Sequence, residues 1–381
     1  MSFSIAIGPR IRKSPFFDRT VAAGVTHFST YNHMYMPVNY GDALAEYERL
    51  VNHVDIRDVA VQRQVRLKGP DALRLARILT PRNLDNLEVG KGIYMPICNT
   101  KGTLVNDPVL LRIAEDELWL SIADNDTLMM AEGIAFAMGL DVDVSEPDVS
   151  PLSIQGPKSH YVAKDLFGDA PLRLSYFGFY ETELQGIPLV VARSGWSKQG
   201  GYEFYLRDGT KGGQLWDLVM EAGKPYQMGP GAPNYIERVE SGMISVNADT
   251  DANSNPFEMG LDALCDLDQD VAFVGKAALK KIKAEGARRR FCGIFMDGDR
   301  FTSTNENQWP ILLDQKCVGY ATAAAYSPRL DRNIAVCLVS TEASEATEGL
   351  VVETSYGKRN GTMTSLPFLP PSTKVPKELL S

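Results

Sequence analysis

From roughly Arg288 onward the chain is written in short runs, RRFCGIFM, KCVGYATAAAYS, NIAVCLVS and GLVVETSYG, separated by Gly, Asn, Asp and Pro. That texture predicts a small β-barrel or sandwich module at the C-terminus. It differs from everything before it, so the 381 residues divide into a mixed region over 1–287 and a β module with its tail over 288–381. A chain this long exceeds one typical domain, and two or three modules are expected. The proline-rich ending, PFLPPSTKVPKELLS, is expected to wrap the surface.

The mixed region alternates element types. Apolar spacing predicts helices over Asp42–Asn52, Pro70–Leu79, Met129–Met138, Leu215–Ala222, Asn234–Met243 and Lys276–Ala284. Between the first two, Val59–Leu67 alternates apolar and polar residues and reads as one strand. From Gly92 the period is again two, with GIYMPICN, TLVNDPVLLRI and ELWLSIAD forming an antiparallel meander that turns at Ala114–Asp116. LSIQGPKSHYVAKDLFG then reads strand, Gly-Pro turn, helix, and the strands YETELQGIPLVVARSG and GYEFYLRD follow. Gly156–Leu166 resembles Gly69–Leu79 in placing Gly-Pro before a helix, which hints at an internal duplication.

Composition narrows the function classes. A formal charge of −9, from 39 basic and 48 acidic residues, offers no long-range attraction for nucleic acid or an anionic membrane. Charges punctuate every hydrophobic run, so no stretch approaches the roughly 18 to 20 apolar residues of a membrane span. Arg10, Arg12 and Lys13 follow only a short apolar run interrupted by Pro9, unlike a signal peptide. Five widely separated cysteines without a CxxC pair fit reduced thiols and a cytoplasmic protein. The four histidines lack metal-ligand spacing, so the chemistry is expected to need no bound metal.

Four segments could carry chemistry. In KGTLVNDPVLL, Asp107 stands before Pro108 on extended backbone; it is either a turn or bulge residue satisfied by local amides, or a buried acid aimed at a ligand. In RSGWSKQGGYEFY, Gly195 and Gly200 have phosphate-loop spacing, but Gly201 and Tyr202 stand where that motif needs Lys and Ser or Thr. What remains is a glycine turn bearing Trp196, then Glu203 and Tyr205 on one strand face, forming either a pocket wall or a solvent-facing pair. On the helix IERVESGM, Glu237, Arg238 and Glu240 read chiefly as a solvated charged face. His33, among Tyr31, Met34, Tyr35 and Met36, reads as a packed residue rather than a base, although aromatic and Met neighbours also suit a soft cation.

In order, YNHMYMPVNYG, LKGPDAL, GIYMPICNTKGTLVNDPVLLRI, SIQGP, SGWSKQGGYEFY, IERVESGM, NPFEMGLD, FVGKAAL and VGYATAAAYSP resemble successive signature blocks of the folate-binding glycine-cleavage T-protein superfamily. NDP, SIAD, SGWSKQGGYE and PNYIERVESG are more similar to its branch that demethylates dimethylsulfoniopropionate than to the T-protein proper, which typically has an acidic pair in the first of these blocks and GYTGE in the third.

The resemblance implies an α+β fold: a three-domain cloverleaf with ferredoxin-like modules, a C-terminal β-barrel and a central hole for tetrahydrofolate. It implies a methyltransferase with tetrahydrofolate and dimethylsulfoniopropionate as partners and no metal. Asp107 and Tyr205 are its catalytic candidates; Tyr94, Asp107, Ser121, Trp196 and Glu203 would hold folate; Tyr31, Tyr35, Trp196 and Tyr205 would surround the sulfonium. Asn106 replaces the first acid of the T-protein pair, and Pro233 and Asn234 replace an arginine and an aspartate. Those departures weaken an aminomethyltransferase assignment, which stays an alternative beside other folate-dependent demethylases and a non-catalytic folate-binding protein. Phe273–Lys276 stands where the last of these carries a cysteine block. A homodimer is compatible with all of these.

Overall fold

The computed structural model describes residues 7–346 and 348–380. Two large sheets, a closed barrel and two two-stranded ribbons carry the strands of the described residues. The first sheet runs Phe179–Leu184, Ile187–Ala192, Gly201–Leu206, Ser150–Gln155, Asp55–Asp58, Gly229–Pro230 in spatial order. Helices Ser159–Phe167 and Gly212–Gly223 cover it, burying Val162, Ala163, Leu215 and Val219 against Ile56, Ile154 and Phe204. The second sheet runs Asp143–Ser145, Gln64–Lys68, Glu117–Ser121, Val109–Ala114, Gly92–Tyr94. Ala72–Leu79 and Thr127–Met138 close its outer face through Leu75, Leu79, Ala131 and Ala135. The inner faces of the two sheets meet through Leu111, Ile113 and Trp119 on one side and Val190, Ala192 and Tyr205 on the other.

The hint of duplication has a backbone counterpart. Gly69 and Gly156 each join a sheet strand to a covering helix at positive φ, 140° and 120°. A Cβ there would lie 2.6 Å from the Asp141 carbonyl oxygen and 2.5 Å from that of His53, so glycine is required twice for the same close approach.

The C-terminal module is a closed barrel of Arg289–Met296, Arg332–Ser340, Lys316–Ser327, Trp309–Leu313, Leu350–Thr354 and Gly357–Thr364. Closure leaves no free edge. The tail then runs back over the first region: Leu369 N–H donates to the Glu240 carbonyl at 3.1 Å and Ser372 N–H to that of Lys198 at 2.6 Å. Among the described residues no helix is long and apolar enough to cross a membrane.

Two expectations need correction. Val59–Leu67 is not one strand: Asp55–Asp58 belongs to the first sheet and Gln64–Lys68 to the second, and the chain turns between them. Val59, Ala60 and Val61 are buried because they cross the core between layers, so their apolar character did not report strand pairing. The meander likewise splits, since Ile97–Cys98 and Leu104–Asn106 form a separate two-stranded ribbon.

Candidate active site

A cavity of about 450 Å³ opens between the two sheets, the Tyr31–Met36 hairpin and the 242–246 segment. That is within the range of small-molecule sites. Its polar groups form two centres.

Asp107 is the first. It follows the ribbon strand Leu104–Asn106 and precedes Pro108, and the Asn106 amide sets its place. Asn106 Oδ1 accepts from the N–H of Asp107 at 2.9 Å and of Ala123 at 3.0 Å, while its Nδ2 donates to the Ala123 carbonyl at 3.1 Å. Tyr94, on the neighbouring strand, donates its hydroxyl to Asp107 Oδ2 at 2.8 Å. Burial pushes the Asp107 carboxyl up to about 7, against the opposing bond from Tyr94. Asp107 lines the cavity and bonds to Tyr94, while its own N–H is held by the Asn106 amide.

Glu203 and Tyr205 make the second centre. Both project from Gly201–Leu206 and both are buried. Tyr205 donates to Glu203 Oε2 at 3.2 Å, and the Ser194 hydroxyl donates to the same oxygen. Burial raises the Glu203 carboxyl above its ordinary value despite these two donors. A solvent-facing pair is thereby excluded. Ser121 stands on the facing sheet, its hydroxyl accepting from Gln64 Nε2 at 3.0 Å, and it lines the same cavity.

The loop carrying Trp196 folds tightly over Gln155. A Cβ on Gly195, at φ 148°, would meet Gln155 Nε2 at 1.8 Å. Ser197 donates its hydroxyl to Gln155 Oε1 at 2.7 Å and locks the turn. The loop is held from behind by the helix Tyr235–Glu240. Glu237 Oε1 accepts from Lys198 N–H and from Gln199 Nε2, each at 2.9 Å, and from the Ser241 hydroxyl at 2.6 Å. Asn234 caps this helix by accepting from Glu237 N–H at 3.0 Å, and Pro233 lines the cavity.

The solvated-face reading of that helix is overturned. Glu237, Arg238 and Glu240 are 1%, 3% and 0% exposed. Arg238 pairs with buried Asp249, and Glu240 accepts from Tyr47 at 2.8 Å and pairs with Arg329 of the barrel. Arg238 and Glu240 are paired with residues from three separate parts of the chain, so the helix is a core polar joint.

Tyr31 and Met36 line the cavity, but Tyr35 does not. Strand alternation turns Tyr35 to the opposite face, where its ring packs 5.5 Å from Phe17 and 6.0 Å from Phe28 and its hydroxyl accepts from Gly8 N–H at 2.9 Å. His33 is neither packed nor a base in the cavity; with Asn32 it forms the positive-φ turn of the hairpin and is exposed. Tyr176, Phe177, Met243 and Lys198 join the wall without having been singled out. Lys198 was legible in SGWSKQGG. Tyr176 and Phe177 were not, because they reach the cavity through long-range pairing, Phe177 accepting from Gly92 N–H at 2.7 Å and donating to the Arg193 carbonyl at 2.9 Å.

Among the described residues no three His, Cys, Asp or Glu side chains gather as metal ligands would. Residues 16–269 match the GCVT N-terminal domain, and residues 289–369 match the glycine cleavage T-protein C-terminal barrel domain. The chain is 39% identical to the dimethylsulfoniopropionate demethylase of Ruegeria pomeroyi over 94% of its own length and 98% of that protein's. It is 27% identical to an aminomethyltransferase of Rubrobacter xylanophilus over 94% of each. The aminomethyltransferase T structure from Bartonella henselae shares its fold, with a TM-score of 0.83 at 20% identity, over 96% of this chain and 99% of that one. Fold, barrel and relatives agree that this chain belongs to the glycine-cleavage T-protein family.

Proposed function

We propose that this chain moves a methyl group from the sulfonium of dimethylsulfoniopropionate to N5 of tetrahydrofolate, forming 5-methyltetrahydrofolate, 3-(methylthio)propionate and a proton. One observation carries the reading: a single cavity holds aromatic walls, a buried and a part-buried carboxylate–phenol pair and one lysine, in a chain closely related to a dimethylsulfoniopropionate demethylase along nearly its whole length.

The chemistry suits what the walls contain. The sulfonium departs as a neutral thioether, so no acid has to protonate the leaving sulfur. Tetrahydrofolate supplies the nucleophilic N5. The protein's task is alignment and exclusion of water, where orientation contributes several kcal/mol. Tyr31, Trp196 and Tyr205 hold the cation against ring faces without neutralising it. Glu203 accepts from Ser194 and Tyr205 through Oε2 alone, which leaves Oε1 for pterin N–H donors. Tyr205 thus fixes the folate-binding carboxylate while presenting its ring to the substrate. Asp107 steadies the positive charge that develops at N5 and then takes its proton, a role for which a carboxyl near 7 is suited. Ser121 and Tyr94 complete the folate side. Among the described residues Lys198, two residues beyond Trp196, is the one Lys or Arg lining the cavity; it receives the propionate carboxylate.

Purified protein given both substrates should accumulate 5-methyltetrahydrofolate. Its absence, with turnover of an aminomethyl group from a lipoylated carrier instead, would replace this reading with aminomethyl transfer.

A further inference from the structure

Cys292 and Cys337 stand directly opposite one another on antiparallel barrel strands. Both side chains point into the barrel core, and their Sγ atoms are 3.6 Å apart. Opposed antiparallel positions keep their Cβ atoms roughly 4.5–5.5 Å apart, close to disulfide reach. Met363 Sδ lies 3.9 Å from Cys292 Sγ, so three sulfur atoms cluster.

The two thiols are not equivalent. Cys292 and Met363 line a second cavity, about 880 Å³, between the barrel and the 241–261 segment, which gives a small solute a route to Cys292. Cys337 lies beneath it, fully buried. The hydrogen bond between the two sulfurs, with help from the Arg290 charge and against burial, pulls the Cys292 thiol below its ordinary value. Cys337 is held well above its own by the same hydrogen bond and by burial. Elsewhere burial only raises the thiol, as at Cys265, pushed up to about 12. A sulfur-bearing residue that lines a cavity though only 6% exposed, backed by a fully buried second thiol 3.6 Å away, is the arrangement of an attacking and a resolving cysteine.

We propose that Cys292 and Cys337 form a peroxide-responsive dithiol that closes to a reversible disulfide across the barrel wall. The Cys292 thiolate attacks one peroxide oxygen and expels hydroxide, which becomes water on taking the thiol proton; Cys292 is then a sulfenic acid. Cys337 attacks the Cys292 sulfur, the S–S bond forms, and the sulfenic oxygen leaves as a second water with the Cys337 proton. Two thiols and one hydrogen peroxide become one disulfide and two waters. A thiol reductant reverses the change.

The test uses the full chain carrying C317S, which removes the exposed cysteine and leaves four of the five thiols. Under graded hydrogen peroxide, thiol titration should show two of the four lost together. Non-reducing peptide mass spectrometry should find Cys292 joined to Cys337 with loss of two hydrogens, and dithiothreitol should restore all four thiols. C292A and C337A in the same background should each abolish the joined peptide; should either fail to fold, the C317S result alone decides. Oxidation of Cys292 to a sulfinic acid without a joined peptide overturns the proposal. So does loss of Cys292 and Cys337 no faster than that of Cys98 and Cys265.

Discussion

The Tyr94 hydroxyl donates a 2.8 Å hydrogen bond to Asp107 Oδ2, and it does so from a strand whose register sets Tyr94 opposite Val109, two residues past the acid. This bond opposes the burial that raises Asp107 to about 7. If ionised Asp107 is the working form, kcat/KM should rise through about pH 7 and level above it. D107N should remove that limb along with most turnover. Y94F should move the limb to higher pH, because the donor that favours the carboxylate is gone. A profile unchanged by Y94F would contradict the role given to the pair.

The same shift makes a stability statement. A folded-state carboxyl raised above its unfolded value binds its proton more tightly in the folded protein, so this group's contribution is full below the unfolded value and is lost as pH rises through about 7. Melting temperatures followed from about pH 4 to about pH 8 should therefore decline less steeply in D107N than in the parent. Parallel curves would mean that Asp107 titrates near its ordinary value.

Much of this arrangement was legible in the sequence, and the failures have a common cause. The short runs after Arg288 located four of the six barrel strands and missed Trp309–Leu313 and Gly357–Thr364, while the parity of Glu203 and Tyr205 put both on one face. Parity also separates Tyr31 from Tyr35 once the hairpin register is known, pairing Tyr31 with Met34 and Thr30 with Tyr35; the residue string alone does not supply that register. Glu237, Arg238 and Glu240 looked like a wetted face because helical spacing reports which residues share a side and not what packs there. Arg238 and Glu240 find their partners in Tyr47, Asp249 and Arg329, and Glu237 finds its own in Lys198, Gln199 and Ser241, with Tyr47, Lys198, Gln199 and Arg329 far away in the chain. Long-range partners decide whether a charge is exposed, and local pattern is silent about them.

Glu203 should matter for folate more than for the methyl donor. E203A leaves Ser194 and Tyr205 without their shared acceptor and removes the carboxylate offered to pterin. Tetrahydrofolate affinity, measured by calorimetry, should weaken by about tenfold or more, as loss of a charged hydrogen bond worth roughly 1.5–3 kcal/mol implies. The KM for dimethylsulfoniopropionate should change far less. Equal losses for both ligands, tracking a fall in melting temperature, would make Glu203 a packing residue.

Lys198 offers a test that separates the single carboxylate of the sulfonium substrate from the carboxylates of the folate glutamyl tail. K198M keeps the length of the stem and removes the charge. It should raise the KM for dimethylsulfoniopropionate by about tenfold, the size of one partly desolvated ion pair near 1.4 kcal/mol, and leave tetrahydrofolate affinity within about twofold. The opposite split would assign Lys198 to the glutamyl tail.

Asn106 accounts structurally for one departure from the acidic pair of the wider family. Its Nδ2 donates to the Ala123 carbonyl while Oδ1 accepts from Ala123 N–H and Asp107 N–H, so the position needs a donor and an acceptor in one planar group. N106D keeps the shape and loses the donor. A carboxylate oxygen would then face the Ala123 carbonyl with no proton between them, in a place with 0% exposure. The expected cost is about 1–3 kcal/mol of stability, the penalty for an unsatisfied buried polar group. A second negative charge beside Asp107 should also raise the Asp107 carboxyl further and carry the activity limb to higher pH. Denaturant unfolding and the pH profile together distinguish the effects: a stability loss without movement of the limb would mean that Asn106 anchors the loop without tuning the acid.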